Sequence, residues 1–113
     1  MNSVKTVNFS DLEPKYNEKG LIPVIVQEHS TSEVLMMAWM NVESLNQTIR
    51  TKCMVYWSRS RAELWVKGQT SGNTQELVEL IIDCDRDCLL ARVNQIGPAC
   101  HTNNPSCFFS LIS

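Results

Sequence analysis

The chain has 113 residues, 43% of them hydrophobic and 19% charged, with a formal net charge of −2. That length suits one domain burying roughly two thirds of its unfolded surface without covalent staples, and the charge offers no basic field for nucleic acid. No apolar run approaches the roughly 20 residues of a membrane span, and residues 1–13 lack the basic and apolar regions of a signal peptide. A cytosolic protein with no nucleic-acid or membrane partner is expected.

In chain order, the first 20 residues are polar, and Asn17-Glu18-Lys19-Gly20 reads as a loop before the first core strand. Residues 21–27 are apolar and β-branched, with Pro23 pointing to an edge or a strand start. A turn at His29-Ser30-Thr31-Ser32 leads into residues 34–39, a plausible antiparallel partner. Asn41 is a good N-cap for a helix from Val42 to about Arg50, with Val42, Leu45 and Ile49 on one face. Short β-rich runs follow at 54–57, 64–67, 77–82, 89–93 and 107–112, separated by turn-forming residues. The connections are too short for crossover helices. The expected fold is α+β and mainly β: a mostly antiparallel sheet or small barrel with one principal helix. Several strand edges in so small a protein also point to an obligate homodimer.

Five cysteines cannot all pair, so in a reducing compartment ligands, small buried hydrophobes or reactive thiols are expected. Cys53, inside an apolar run, reads as a core residue, and Cys88 as structural. Cys84, Cys100 and Cys107 remain, as a three-sulfur zinc site with an open position or as buried thiols. His101 reads as a base beside the metal, since neighbouring Cys100 and His101 would have to bend round one ion together. Three thiolates leave zinc with a net −1, and a nearby proton acceptor makes up part of the lost acidity.

Asp83, Asp85 and Asp87 alternate, so in an extended strand end they project to one side, roughly 6.6 Å apart, with Cys84 on the other. Carboxylates at that spacing repel by about 2.5 kcal/mol at an effective dielectric near 20. The plainer reading is a solvated turn; the chemical one is a hard-cation site, with Mg²⁺ the expected occupant. Ser58-Arg59-Ser60-Arg61 and Trp65-Val66-Lys67-Gly68-Gln69-Thr70-Ser71-Gly72 combine cations, hydroxyls and glycine-flanked amides suited to phosphates. Trp57 and Trp65 could stack on a base. A polar hairpin with a core tryptophan is the plainer reading here.

Together with Gln95-Ile96-Gly97-Pro98-Ala99-Cys100-His101-Thr102 and Ser106-Cys107-Phe108, these motifs closely resemble the phosphoribosyl-AMP cyclohydrolase family of histidine biosynthesis, over about residues 20–109. The resemblance implies Zn²⁺ on Cys84, Cys100 and Cys107, and Mg²⁺ on Asp83, Asp85 and Asp87. It also implies a homodimer whose zinc site draws cysteines from both chains. The substrate is 1-(5-phosphoribosyl)-AMP, opened at N1–C6 to the formimino-carboxamide ribotide. His101 becomes the expected proton shuttle, and Ser58, Arg59, Ser60, Arg61, Trp65, Lys67, Thr70 and Ser71 the expected substrate contacts. A single domain without a fused pyrophosphohydrolase is expected. A nucleobase deaminase would want a His/Cys-x-Glu motif and a Pro-Cys-x-x-Cys pair, and neither occurs. A structural zinc module would want a fourth protein ligand.

Overall fold

In β1 (Ile22–Glu28) the side chains of Ile22, Val24 and Val26 are fully buried while Ile25 is exposed, the two-residue alternation of a strand with one face on the core. The structure, a computed structural model, describes Asn8 and residues 11–113. β2 (Val34–Met40) returns antiparallel to β1 after the turn at 29–32, with a register shift at Val26/Gln27. On the other side of β1 lies β6 (Leu89–Gln95), parallel to it, and β5 (Gln75–Ile82) pairs antiparallel with β6. The resulting open sheet has the order β2-β1-β6-β5, and β3 (Val55–Ser58) and β4 (Glu63–Val66) form a separate hairpin.

The fold is therefore mainly β with one helix and mostly antiparallel, but the sheet does not close into a barrel, because β2 and β5 remain separate edges. The parallel β1–β6 pair needs no crossover helix, since everything from β2 to β5 lies between its strands. Pro23 sits in an interior strand rather than at an edge. It is tolerated because β6 pairs with β1 only from Val24 onward, so the missing N–H falls at the strand start.

The helix α1 (Val42–Thr51) starts where expected. Asn41 Oδ1 accepts the Ser44 amide at 2.8 Å and Ser44 Oγ accepts the Asn41 amide at 2.9 Å, a reciprocal cap that satisfies two otherwise orphaned donors. Its buried face differs from the expected one. Val42 is exposed, and Ser44 and Thr48 are buried beside Leu45. Their hydroxyls can be buried because they are bonded: Thr48 Oγ1 accepts Val55 N at 2.9 Å and donates to Val55 O at 3.3 Å.

Two further expectations fail. Cys53 is exposed, not core: the chain reverses at Lys52 (φ 64°), and the inward position goes to Met54. Residues 107–112 form no strand. Cys107 N donates to Leu35 O at 2.7 Å, after which Phe108, Phe109, Leu111 and Ile112 are exposed. The apolar pattern is present in both places, but Cys53, though bridged to Glu76, faces outward, and beyond Cys107 no ladder continues. Cys88 is partly buried, as its structural reading expects. The reading of residues 1–13 as free of a signal-peptide pattern lies mostly outside the described residues. No helix among the described residues is long and apolar enough to cross a membrane.

The hairpin and the sheet are joined by a buried polar cluster. The Tyr56 phenol donates to Gln75 Oε1, and Gln75 Nε2 donates to Gln95 Oε1 at 2.8 Å and reaches Met36 Sδ at 3.4 Å. Burial, with the Cys107 thiol nearby, pushes the Tyr56 phenol well above its ordinary pKa, so it remains a neutral donor. Tyr56→Phe strands a buried carbonyl oxygen and is expected to cost about 1–3 kcal/mol. For a domain of this size that is a fall of roughly 4 °C or more in Tm, read from thermal melts at fixed protein concentration. An unchanged melt would remove the phenol from the account of stability.

Candidate active site

A cavity of about 410 Å³ opens where three segments meet: β4, the loop that follows it, and the loop after β6. Trp65 and Lys67 enter from β4 and its end. Thr70, Ser71 and Asn73 come from the next loop, and Ala99, Cys100 and His101 from the last. Gly68 makes the first loop possible. Its φ is +80°, and a Cβ there would lie 2.6 Å from the backbone of Asn73 and Thr74. Only glycine fits both requirements.

Lys67 bridges two walls. Its Nζ donates to Ala99 O at 2.6 Å and lies 5.3 Å from the centre of the Trp65 ring. Trp65 is itself packed against Tyr56, with ring centres 5.4 Å apart. Burial lowers the Lys67 pKa, and the thiols of Cys107 and Cys100 act in the opposite direction. Cys100 is buried, and its thiol is shifted down by hydrogen bonds from Thr102 against the opposing effect of desolvation. Cys107 is shifted up, first by burial and then by its hydrogen bond and charge interaction with Cys100. The two thiols are therefore neighbours, with a cation beside them. Ser106 holds the second in place: buried, it donates to Val34 O at 2.8 Å and accepts Phe108 N at 3.0 Å, on either side of Cys107.

Of the sequence-predicted site residues, Arg61, Trp65, Lys67, Thr70, Ser71, Cys100 and His101 line this cavity, and Ser58, Arg59 and Ser60 do not. Arg61 is exposed and 3.7 Å from Glu63. Arg59 stacks 4.9 Å from the centre of the Trp39 ring, an anchor that no local motif pointed to. Ser58 Oγ accepts the Arg61 amide at 3.3 Å and lies 3.5 Å from Ser60 Oγ, closing the hairpin turn. Trp57 belongs to β3 outside the cavity lining. Asn73, which ends the glycine-flanked stretch after Trp65, also lines the cavity.

The acidic residues lie elsewhere, in the turn between β5 and β6, and this changes their expected geometry. Residues 83–88 are not an extended strand end. Asp83 N donates to Cys88 O at 3.0 Å, Arg86 N to Asp83 O at 3.1 Å, and Arg86 takes φ 63°. Carboxylate oxygens of Asp83, Asp85 and Asp87 come within 4.8 Å of one another, closer than an extended strand allows. The alternation that set Cys84 on an opposite face therefore does not apply. The convergence on one point does. Desolvation raises the Asp83 pKa, but the amides of Asp87 and Cys88 outweigh it and leave the carboxyl lowered. Asp87 is raised, first through its hydrogen bond with Asp85, then by desolvation and by the charges of Asp85 and Asp83. A divalent cation among these oxygens would relieve that crowding of like charge.

Cys84 does not join Cys100 and Cys107: among the described residues these sulfurs form no three-ligand cluster. Cys84 lies in the turn that precedes the seven-residue strand β6, and Cys100 in the loop that follows it.

Residues 36–109 match the family model described as phosphoribosyl-AMP cyclohydrolase. The chain is 59% identical over 97 residues to the phosphoribosyl-AMP cyclohydrolase of Cereibacter sphaeroides, covering 86% of this chain and 82% of that protein. For the Paracoccus denitrificans enzyme of the same name the identity is 60% over 98 residues, covering 87% and 81%. A Ruegeria enzyme, also so named, is 58% identical over 106 residues, covering 94% and 82%. The matched region contains the cavity lining, the acidic turn and all three candidate sulfur ligands, and the chain belongs to the phosphoribosyl-AMP cyclohydrolase family, a family of hydrolases.

Proposed function

We propose that this chain hydrolyses the N1–C6 bond of 1-(5-phosphoribosyl)-AMP in histidine biosynthesis, giving the formimino-carboxamide ribotide. The observation that carries the reading is the convergence of Trp65, Lys67, Cys100 and His101 on one cavity in a chain of this family. The ring-opening step adds one water. Its oxygen bonds to C6 and becomes the carboxamide oxygen, the N1–C6 bond breaks, and N1 leaves carrying a proton.

Each residue then has a task. His101 stands at the lining of the cavity and takes a proton from the attacking water, returning it to N1. Trp65 offers a face to the purine. Lys67 keeps two N–H donors beyond the one bonded to Ala99, and with Arg61 it faces the phosphates. Arg59, Ser58, Ser60, Thr70 and Ser71 complete the substrate contacts, the first three by adjustment of the hairpin turn. The crowded Asp83, Asp85 and Asp87 suit Mg²⁺.

Cys100 and Cys107, with Lys67 beside them, suit a soft cation such as Zn²⁺, but two sulfurs are fewer ligands than zinc takes. Cys84 of a second copy would supply the third, in a homodimer that shares its sites. Zinc held there would supply the Lewis acidity that makes water nucleophilic near neutral pH.

His101→Ala is expected to keep zinc stoichiometry near wild type while kcat falls by roughly 10² to 10⁴. Metal analysis alongside turnover checks it. Zinc loss would make His101 a ligand, and full activity would remove it from the mechanism.

The shared site has a separate test. Cys84→Ser and Cys107→Ser proteins are each expected to be inactive. When their subunits exchange at random, half the dimers are mixed, and in each mixed dimer one site carries both lesions and the other none. About a quarter of all sites should recover by two-fold symmetry. With exchange demonstrated by mass, no recovery would place each zinc site within one chain.

A further inference from the structure

We propose that Asn104 and Thr102 form a hydrogen-bond relay that tunes the Cys100 sulfur as a metal ligand. The Thr102 hydroxyl donates to Cys100 Sγ at 3.0 Å. Asn104 Nδ2 in turn donates to Thr102 Oγ1 at 2.8 Å. A hydroxyl has a single proton. With the Asn104 amide occupying a lone pair of the oxygen, that proton is directed at the sulfur and not at solvent, although Thr102 itself is exposed.

The backbone holds the three residues in this order. Cys100 N donates to Asn104 O at 3.2 Å, Asn103 N to Cys100 O at 3.0 Å, and Ala99 N to Pro105 O at 3.3 Å. The segment is a closed loop that carries its own donor to the sulfur it presents. Neither Thr102 nor Asn104 lines the cavity, so the relay acts through Cys100 and both are positioning residues.

The chemical gain follows from charge. Three thiolates outweigh a divalent cation and weaken it as a Lewis acid. A hydrogen bond to one sulfur withdraws electron density from it, so that ligand pushes less charge onto the metal. Outer-shell donors of this kind change metal affinity by about 10–100-fold when removed.

The inference rests on Cys100 being a ligand, and the test separates the two claims. Cobalt replaces zinc in the full-length protein, and the thiolate-to-cobalt charge-transfer band is recorded with zinc affinity by chelator competition. Thr102→Val should move the band to longer wavelength and change zinc affinity by about 10–100-fold. Thr102→Ser should match wild type, and Asn104→Ala should shift the band the same way by less. Absence of a thiolate band in wild type would overturn the ligand reading and the relay with it. A wild-type band that Thr102→Val leaves in place overturns the relay alone, even where affinity falls, because a merely structural loop contact predicts that pattern.

Discussion

The orientation of one buried amide governs how the pieces of this protein meet. Gln75 has almost no exposed surface, and an amide in such a place must satisfy both ends or cost several kilocalories. The Gln75 nitrogen donates to Gln95 Oε1 and reaches Met36 Sδ, which leaves the Gln75 oxygen to accept from the Tyr56 phenol. Gln95 is fixed in turn, with its own nitrogen toward the carbonyl oxygens of Thr74 and Ile96. Tyr56 belongs to the hairpin that carries Trp65, Gln75 ends the loop from Lys67, and Gln95 begins the loop to Cys100. One chain of hydrogen bonds with a single consistent direction therefore sets the walls of the cavity against one another.

Rigidity of this kind matters because the cavity is built from loops. Backbone in a loop is ordered only where something beyond the sheet ladder holds it. Here the holding groups are side chains reaching across segments. Lys67 reaches the carbonyl of Ala99, 32 residues away in sequence, and Ser106 reaches the edge strand β2 across 72. Asn73 packs its side chain against Gly97, where any Cβ would intrude. The first and last of these tie one cavity loop to another, and Ser106 ties the segment of Cys107 to the sheet.

What could be read in the sequence divides by the range of the interaction involved. The Asn41 cap, the turn at 29–32 and the apolar β-branched strand at 21–27 depend on neighbours a few residues apart, and all are found. Pairing of β1 with β6 depends on chain closure over some sixty residues and left no local mark. Cys53 and residues 107–112 carry the apolar pattern of buried strands, yet whether such a run is buried depends on which backbone arrives beside it. The acidic residues were legible as a cluster because their spacing is short. Their shape was not, since alternation implies a strand only where a ladder continues. Proximity of Cys100 to Cys107 and Lys67 likewise needed the fold, as did the failure of Cys84 to join them.

That separation carries a consequence for how such a protein would work, under the reading in which zinc needs all three sulfurs. In this fold Cys84 lies in the turn before β6, and Cys100 and Cys107 lie in the chain after it. If Cys84 of a second copy supplies the third sulfur, metal binding and dimer formation become parts of one equilibrium. Each stabilises the other by mass action, since a ligand that binds only the assembled form favours assembly. The exposed apolar residues Phe108, Phe109, Leu111 and Ile112 follow Cys107 directly. In that arrangement they stand beside the junction where a second chain would deliver its cysteine, and their burial there would add a hydrophobic contribution to the same equilibrium. On that reading a single chain holds the cavity with Cys100 and Cys107 beside Lys67, and the third sulfur comes from its partner.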